Sequence, residues 1–212
     1  MRKIFFFVAV ISFAISMASF TANTKFSKST TTKTINDTIH FEGEKHFANI
    51  RQLTFGGDNA EAYFSFDGKY IVYQRTNTKE GILCDQIWMG KVPGPGEKFE
   101  PKLVSTGSGR TTCAYFYPDG KHILYGSTHL GSTDCPPVPD RSKHGNKYIW
   151  PIYESFDIFK ADLNGNIVKR LTKTKGYDAE ATISPKGDKI VFTSMRDGDL
   201  DLYTMDLNGK HV

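Results

Sequence analysis

One strand-turn-strand phrase occurs three times in this chain: Tyr63-Phe64-Ser65-Phe66-Asp67-Gly68-Lys69-Tyr70-Ile71-Val72-Tyr73, Tyr115-Phe116-Tyr117-Pro118-Asp119-Gly120-Lys121-His122-Ile123-Leu124-Tyr125 and Thr182-Ile183-Ser184-Pro185-Lys186-Gly187-Asp188-Lys189-Ile190-Val191-Phe192. A unit repeated at such intervals is a supersecondary element that cannot bury its apolar side alone and must stack on its neighbours. Each copy sets β-branched and aromatic residues on both sides of a tight turn, where Pro presets φ and Gly supplies a positive one.

Two further phrases accompany each hairpin. Asp85-Gln86-Ile87-Trp88-Met89, Phe156-Asp157-Ile158-Phe159-Lys160-Ala161-Asp162-Leu163-Asn164-Gly165 and Leu200-Asp201-Leu202-Tyr203-Thr204-Met205-Asp206-Leu207-Asn208-Gly209 give a third strand, which ends in an Asn-Gly turn in the last two copies. Arg51-Gln52-Leu53-Thr54, Pro101-Lys102-Leu103-Val104 and Lys169-Arg170-Leu171-Thr172 give a short fourth one. Four antiparallel strands per repeat make a propeller blade, so the expected fold class is an all-β propeller.

The blades fall at 61–105, 113–172 with an insertion at 127–154, and 180–212, the last with three strands. The strand at 49–54 is expected to be a closing outer strand that completes a blade elsewhere in the ring. About two and three-quarter blades cannot close, because propellers need roughly four to eight. The expected parent is six- to eight-bladed, and the chain is expected to be a fragment of it.

Hydrophobic residues make up 39% and aromatics 13% of the chain, enough for a real core and too much for wholesale disorder. Met1-Arg2-Lys3 and the apolar run Ile4 to Phe20 have the form of a secretory signal, with Ser16-Met17-Ala18 offering small residues for cleavage after Ala18. Residues 1–18 are thus the signal peptide and 19–48 a flexible leader rich in Ser, Thr and Lys. An uncleaved anchor is the alternative, and this segment is the chain's one route to a membrane. The formal charge of +4 includes Arg2 and Lys3, and the remaining charges are interspersed, which argues against nucleic acid as a partner.

The repeat resembles that of the TolB family of periplasmic β-propellers. The third copy carries the resemblance best, through Arg170-Leu171-Thr172, Ala181, Ser184-Pro185, Gly187, Lys189-Ile190, Phe192-Thr193-Ser194, Asp201-Leu202-Tyr203, Asp206 and Gly209. The first copy departs from it at Phe66, where Pro is usual, and the insertion interrupts the second. The resemblance implies a periplasmic or secreted scaffold with a protein partner in the cell envelope. A propeller serving as the accessory domain of a larger secreted peptidase or hydrolase, catalytic beyond Val212, is the alternative it also implies.

Loops before the first strand and after the second of each blade share one rim, and that rim gathers the candidate partner-binding residues: Arg110, Cys135, Pro137, Asp140, Arg141, Tyr148, Trp150, Asp178, Glu180 and Arg196. The insertion is too long for a plain blade loop and carries stiff prolines and aromatics suited to a protein contact. It is either a binding lid or a structural plug over the channel mouth. Asp178 and Glu180, two apart, are a possible carboxylate pair facing that channel.

Cys84, Cys113 and Cys135 lie on the same rim, and in an oxidising compartment they imply one disulfide and one leftover thiol. Cys113 with Cys135 is the favoured pair. Zinc held with His129 or His144 would match no short ligand motif. Asp197-Gly198-Asp199-Leu200-Asp201 has the opening of an acidic calcium loop without its later Gly or distant Glu, so a solvated hairpin is expected. No metal and no cofactor is assigned. The chain holds no Gly-x-Ser-x-Gly elbow and no His-Glu-x-x-His helix, and Thr106 to Thr111 lacks the first Gly and the Lys of a phosphate loop. A non-catalytic role is the expectation that follows.

Overall fold

The computed structural model describes residues 41–145 and 147–212. The signal peptide at 1–18, and the leader as far as residue 40, lie outside the described residues. Three antiparallel sheets follow one another along the chain. The first contains β1 (Asp58–Phe64), β2 (Tyr70–Asn77), β3 (Ile82–Lys91) and β4 (Lys102–Leu103). The second contains β5 (Thr111–Phe116), β6 (His122–Ser127), β7 (Asp157–Asp162) and β8 (Ile167–Arg170), and the third β9 (Asp178–Ile183), β10 (Lys189–Ser194) and β11 (Asp201–Asp206). Each sheet is a meander in chain order, as a propeller blade requires. Among the described residues no helix is long and apolar enough to cross a membrane. Of the strand expected at 49–54, Arg51 alone is bridged, and its guanidinium donates to the carbonyls of Pro93 and Gly94 at 2.7 and 2.8 Å.

The hairpins form by the same chemistry each time. In the first, Gly68 at φ 69° donates its N–H to the Ser65 carbonyl at 2.8 Å, and the Ser65 hydroxyl bonds Asp67 at 2.7 Å and accepts the Tyr70 amide at 2.9 Å. Gly120 and Gly187 repeat the positive φ and the bond to Tyr117 and Ser184. The turn between the third and fourth strands is built around a carboxylate: Asp162 accepts the amides of Asn164 and Asn166, and Asp206 those of Asn208 and Lys210. These bonds favour the ionised acids. The Ser65 hydroxyl, helped by Lys69, holds Asp67 at about 2, and the Asn166 side chain and the Lys210 amide act first in holding Asp162 and Asp206 low.

Alternation along the second blade then sends side chains both ways. Ile123 and Tyr125 join Phe116 and Ala161 against Val72, Ile87, Met89 and Val104 of the first blade. Leu124 and Ile158 face Ala181, Ile190, Phe192 and Met205 of the third. Ile123, Leu124 and Tyr125 are all fully buried, so three consecutive residues serve two interfaces. Cutting either Ile123 or Leu124 to alanine should cost ~2–5 kcal/mol. The first strands of successive blades approach one another, β1 against β5 and β5 against β9, which puts them on the inner side of the array.

Every first strand carries a bulge that the repeat did not advertise. Register slips between Ala60 and Tyr63, between Thr112 and Tyr115, and in β9 opposite Val191 to Thr193. At each slip a non-glycine residue has positive φ: Glu61 at 50°, Cys113 at 41° and Glu180 at 55°. Such conformations cost ~1–3 kcal/mol and persist where neighbours hold them. Here the Cys113 amide donates to Gln74 Oε1 at 2.5 Å, and Glu180 accepts from Tyr177 at 3.2 Å and Thr193 at 3.1 Å.

That bulge overturns the expected Cys113–Cys135 disulfide. Cys113 is the free thiol, and Cys84 pairs with Cys135 at a Cα separation of 5.9 Å. The insertion folds back over the first blade, where Cys84 ends on the rim, whereas Cys113 is turned into the inner strand between Glu61 and Glu180. Closing a loop between residues 51 apart removes about 4 kcal/mol of freedom from the unfolded chain.

Two outcomes follow. Peptide mapping without reductant should return Cys84 linked to Cys135 and a lone Cys113 that resists alkylation at pH 8 until the fold is melted, since burial pushes its thiol up to about 11; rapid native labelling of Cys113 would contradict this. The turn carboxylates are depressed in the folded state, so their stabilisation is complete above the unfolded value of 3.8 and is lost as pH falls through each folded value, about 2 in the case of Asp67. Urea midpoints should therefore drop through that interval, and less steeply in Asp162→Asn, a dependence that an unchanged slope would refute.

Candidate protein-binding site on the inserted rim

The insertion leaves β6 at Ser127, crosses the rim and returns to β7 at Asp157. Its path is stiffened locally. Asp140 caps a 3-10 turn over Arg141–His144 by accepting the Ser142 amide at 3.1 Å, and the Tyr153 hydroxyl donates to the Pro137 carbonyl at 2.8 Å. Between the insertion and the inner strands lies a cavity of about 200 Å³. Arg110, Arg141, Tyr148 and Trp150 line it, together with Gln74 and Asp85 from the first blade.

The floor is polar and largely satisfied. Arg110 Nη1 meets Asp85 Oδ2 at 2.5 Å, Thr76 donates to Asp85 Oδ1 at 2.7 Å, and Thr111 donates to the Asp85 carbonyl at 2.9 Å. This ties the start of β5 to β3 of the preceding blade. The walls are aromatic: Tyr148 and Trp150 stand 6.2 Å apart and are 68% and 55% exposed, so much of both rings faces solvent. Arg141 sits over the Tyr148 ring at 4.9 Å and has no carboxylate partner among the described residues.

Four of the ten expected residues thus converge on one cavity. Cys135 is committed to the disulfide, and Pro137 and Asp140 shape the insertion. Asp178, Glu180 and Arg196 form a separate group at the third blade. Asp178 is 1% exposed and pairs with Arg196 at 3.2 Å, while that guanidinium also lies 4.6 Å over Tyr203 and 5.0 Å over Phe192. Glu180 has its own donors, so Asp178 and Glu180 do not act as a pair; the bulge between them sends them to different partners. Nearby Asp157 meets Arg170 at 2.6 Å, and burial raises its pKa in spite of that cation.

Sequence reasoning passed over Gln74, Asp85 and Tyr177, which complete the cavity. Asp85 had a signal: it stands at the place in its phrase that Asp157 and Asp201 hold in theirs. The three bulge residues had one too, since Glu61, Cys113 and Glu180 each stand four positions before the residue that starts the turn. The zinc alternative loses two thiolates to the disulfide, and His129 bonds Ser127 at 2.9 Å and packs on Phe159. Asp197, Asp199 and Asp201 bring exposed carboxylate oxygens within 4.8 Å of one another, close enough to share a cation, and Asp197 accepts the Tyr203 hydroxyl.

No family model matches the chain. Among solved structures it is similar to a protein from Agrobacterium tumefaciens described as TolB, with a TM-score of 0.55 and 21% identity over 76% of this chain and 50% of that one. It also aligns with TolB from Acinetobacter baumannii at a TM-score of 0.47 and 20% identity, over 73% of this chain and 31% of that one. A chain of a nidogen/laminin complex aligns at 0.47 and 12%, over 71% and 44%. This chain spans about half the length of the Agrobacterium protein. Its three consecutive sheets have the TolB-like β-propeller fold.

Proposed function

We propose that this chain is part of an exported, non-catalytic β-propeller scaffold, periplasmic or secreted, which holds a protein partner of the cell envelope on the rim built by residues 127–154. The observation that carries the reading is the cavity under the insertion. It joins largely exposed Tyr148 and Trp150, and Arg141, which has no carboxylate partner among the described residues, to a rigid floor made by two blades. Aromatic and arginine side chains dominate binding energy at protein interfaces, and a disulfide-held loop loses little freedom on docking. The signal-like start of the sequence supports export, and the TolB-like fold supports a scaffold.

Replacing residues 130–148 by a short Gly-Ser linker, with Cys84→Ala to remove the orphaned thiol, should abolish binding to the envelope partner recovered by crosslinking. Trp150→Ala should weaken that binding at least tenfold, by about 2 kcal/mol, and shift the melting midpoint by no more than about 2 °C because the ring is half exposed. Unchanged partner affinity in both variants would leave the insertion as a plug over the channel mouth and reject this function for it.

A further inference from the structure

The hydrogen bonds of the same cavity define what it can hold, and this step rests on the reading that the inserted rim docks a protein. Its strong acceptors are already engaged. Asp85 accepts from Thr76 and Arg110 through its carboxylate and from Thr111 through its carbonyl. Gln74 Oε1 accepts from the Cys113 amide at 2.5 Å and the Thr112 hydroxyl at 3.1 Å. The hydroxyls of Tyr153 and Tyr177 donate outwards, to the Pro137 carbonyl and to Glu180.

What remains are donors. Arg110 uses Nη1 for Asp85, and its Nε is buried with no acceptor among the described residues. The Gln74 amide nitrogen and the whole Arg141 guanidinium make no hydrogen bond among the described residues. An aromatic-walled cavity that offers a guanidinium and an amide N–H₂ without acceptors favours a strong acceptor, and the ionised carboxylate is the side-chain group that accepts only.

Size decides between a free ligand and a side chain. Pockets for whole small molecules run to roughly 300–1,000 Å³. About 200 Å³ suits one anchoring side chain, with the rest of the molecule lying along exposed Val138, Tyr148 and Trp150. We propose that the cavity takes the carboxylate of an acidic residue in the partner's docking segment, gripped by Arg141 beside the Arg110 guanidinium, with an apolar neighbour of that residue against Trp150.

Titration calorimetry on the full chain tests this with a capped peptide, acetyl-Gly-Phe-Glu-Phe-Gly-amide, its glutamine counterpart and phenylacetate. The glutamate peptide should bind at least tenfold more tightly than the glutamine one, the scale of one charge-assisted hydrogen bond. Its affinity should fall with added salt. Arg141→Ala should remove most of that preference, and Trp150→Ala should weaken both peptides alike. Equal binding of the two peptides would overturn the carboxylate assignment and leave protein docking on this rim standing. Phenylacetate binding as tightly as the glutamate peptide would overturn the peptide assignment in favour of a small acid. Binding of neither peptide at about 1 mM would overturn the inference too, whereas docking on the rim fails only if the partner ignores loss of the insertion.

Discussion

The second blade is apolar on both faces, and the other two described sheets are arranged around that fact. A four-stranded sheet whose successive residues Ile123, Leu124 and Tyr125 are all buried has no side to show to water, so it demands a sheet on each flank. The first and third blades answer the demand and inherit a weaker version of it. In β1 and β11 the outer side chains stay exposed, Leu202 at 77% among them. Stability in such an array is a sum over blade interfaces rather than a property of one central core. Each interface also fixes how far a blade rotates from its neighbour, and hence where the rim residues of one blade meet those of the next.

The close approach of the blades has a backbone counterpart. Gly165 lies against the Val104 backbone and Gly209 against that of Leu171, so the Asn-Gly turn of one blade nests on the last strand of the blade before it. A Cβ at Gly209 would come within 2.6 Å of the Leu171 carbonyl oxygen. The glycine thus serves the turn and the stacking at once. Near the inner strands the accommodation is different: positive φ is carried by Glu61, Cys113 and Glu180, and at the last two the side chains of Gln74 and Thr193 reach in from neighbouring strands. Gln74 is the clearest case. It leaves its own blade to accept the amide of Cys113 in the next, and so becomes part of the cavity floor.

Local chemistry was readable from the residues because the turns are local: the turn Gly stands at a fixed offset in every copy, with Pro two positions before it in two of the three, and the flanking residues alternate with period two. The sheets, their order and their strand count followed. What escaped were relations between blades. Nothing in the spacing of three cysteines says that an insertion leaving the second blade will lean over the first and bring Cys135 to Cys84 rather than to Cys113. The same lean brought Arg110, Arg141, Tyr148 and Trp150 together and left Asp178 and Arg196 apart from them. The bulges escaped for another reason. Glutamate and cysteine carry no signature of positive φ, and only their equal offset from the turn marks them as equivalent.

These two kinds of information divide the labour in the molecule. The repeat sets a base that is nearly the same in every blade, and sameness cannot select a partner. Selection needs a place where the repetition breaks, and the described chain breaks it most at 127–154. The Cys84–Cys135 bond, the Tyr153 to Pro137 hydrogen bond and the Asp140 cap hold that break in one shape. A loop of this length without such ties would have to be ordered at the moment of binding, at a cost of roughly 1–2 kcal/mol for each residue fixed. Fastened to the first blade, it brings Arg141 and the two aromatic rings to a floor that the blade interface has already positioned. The greasy contact between the sheets therefore does more than hold the fold: it sets the distance across which Arg110 and Asp85 meet, and with it the shape of the surface that a partner encounters.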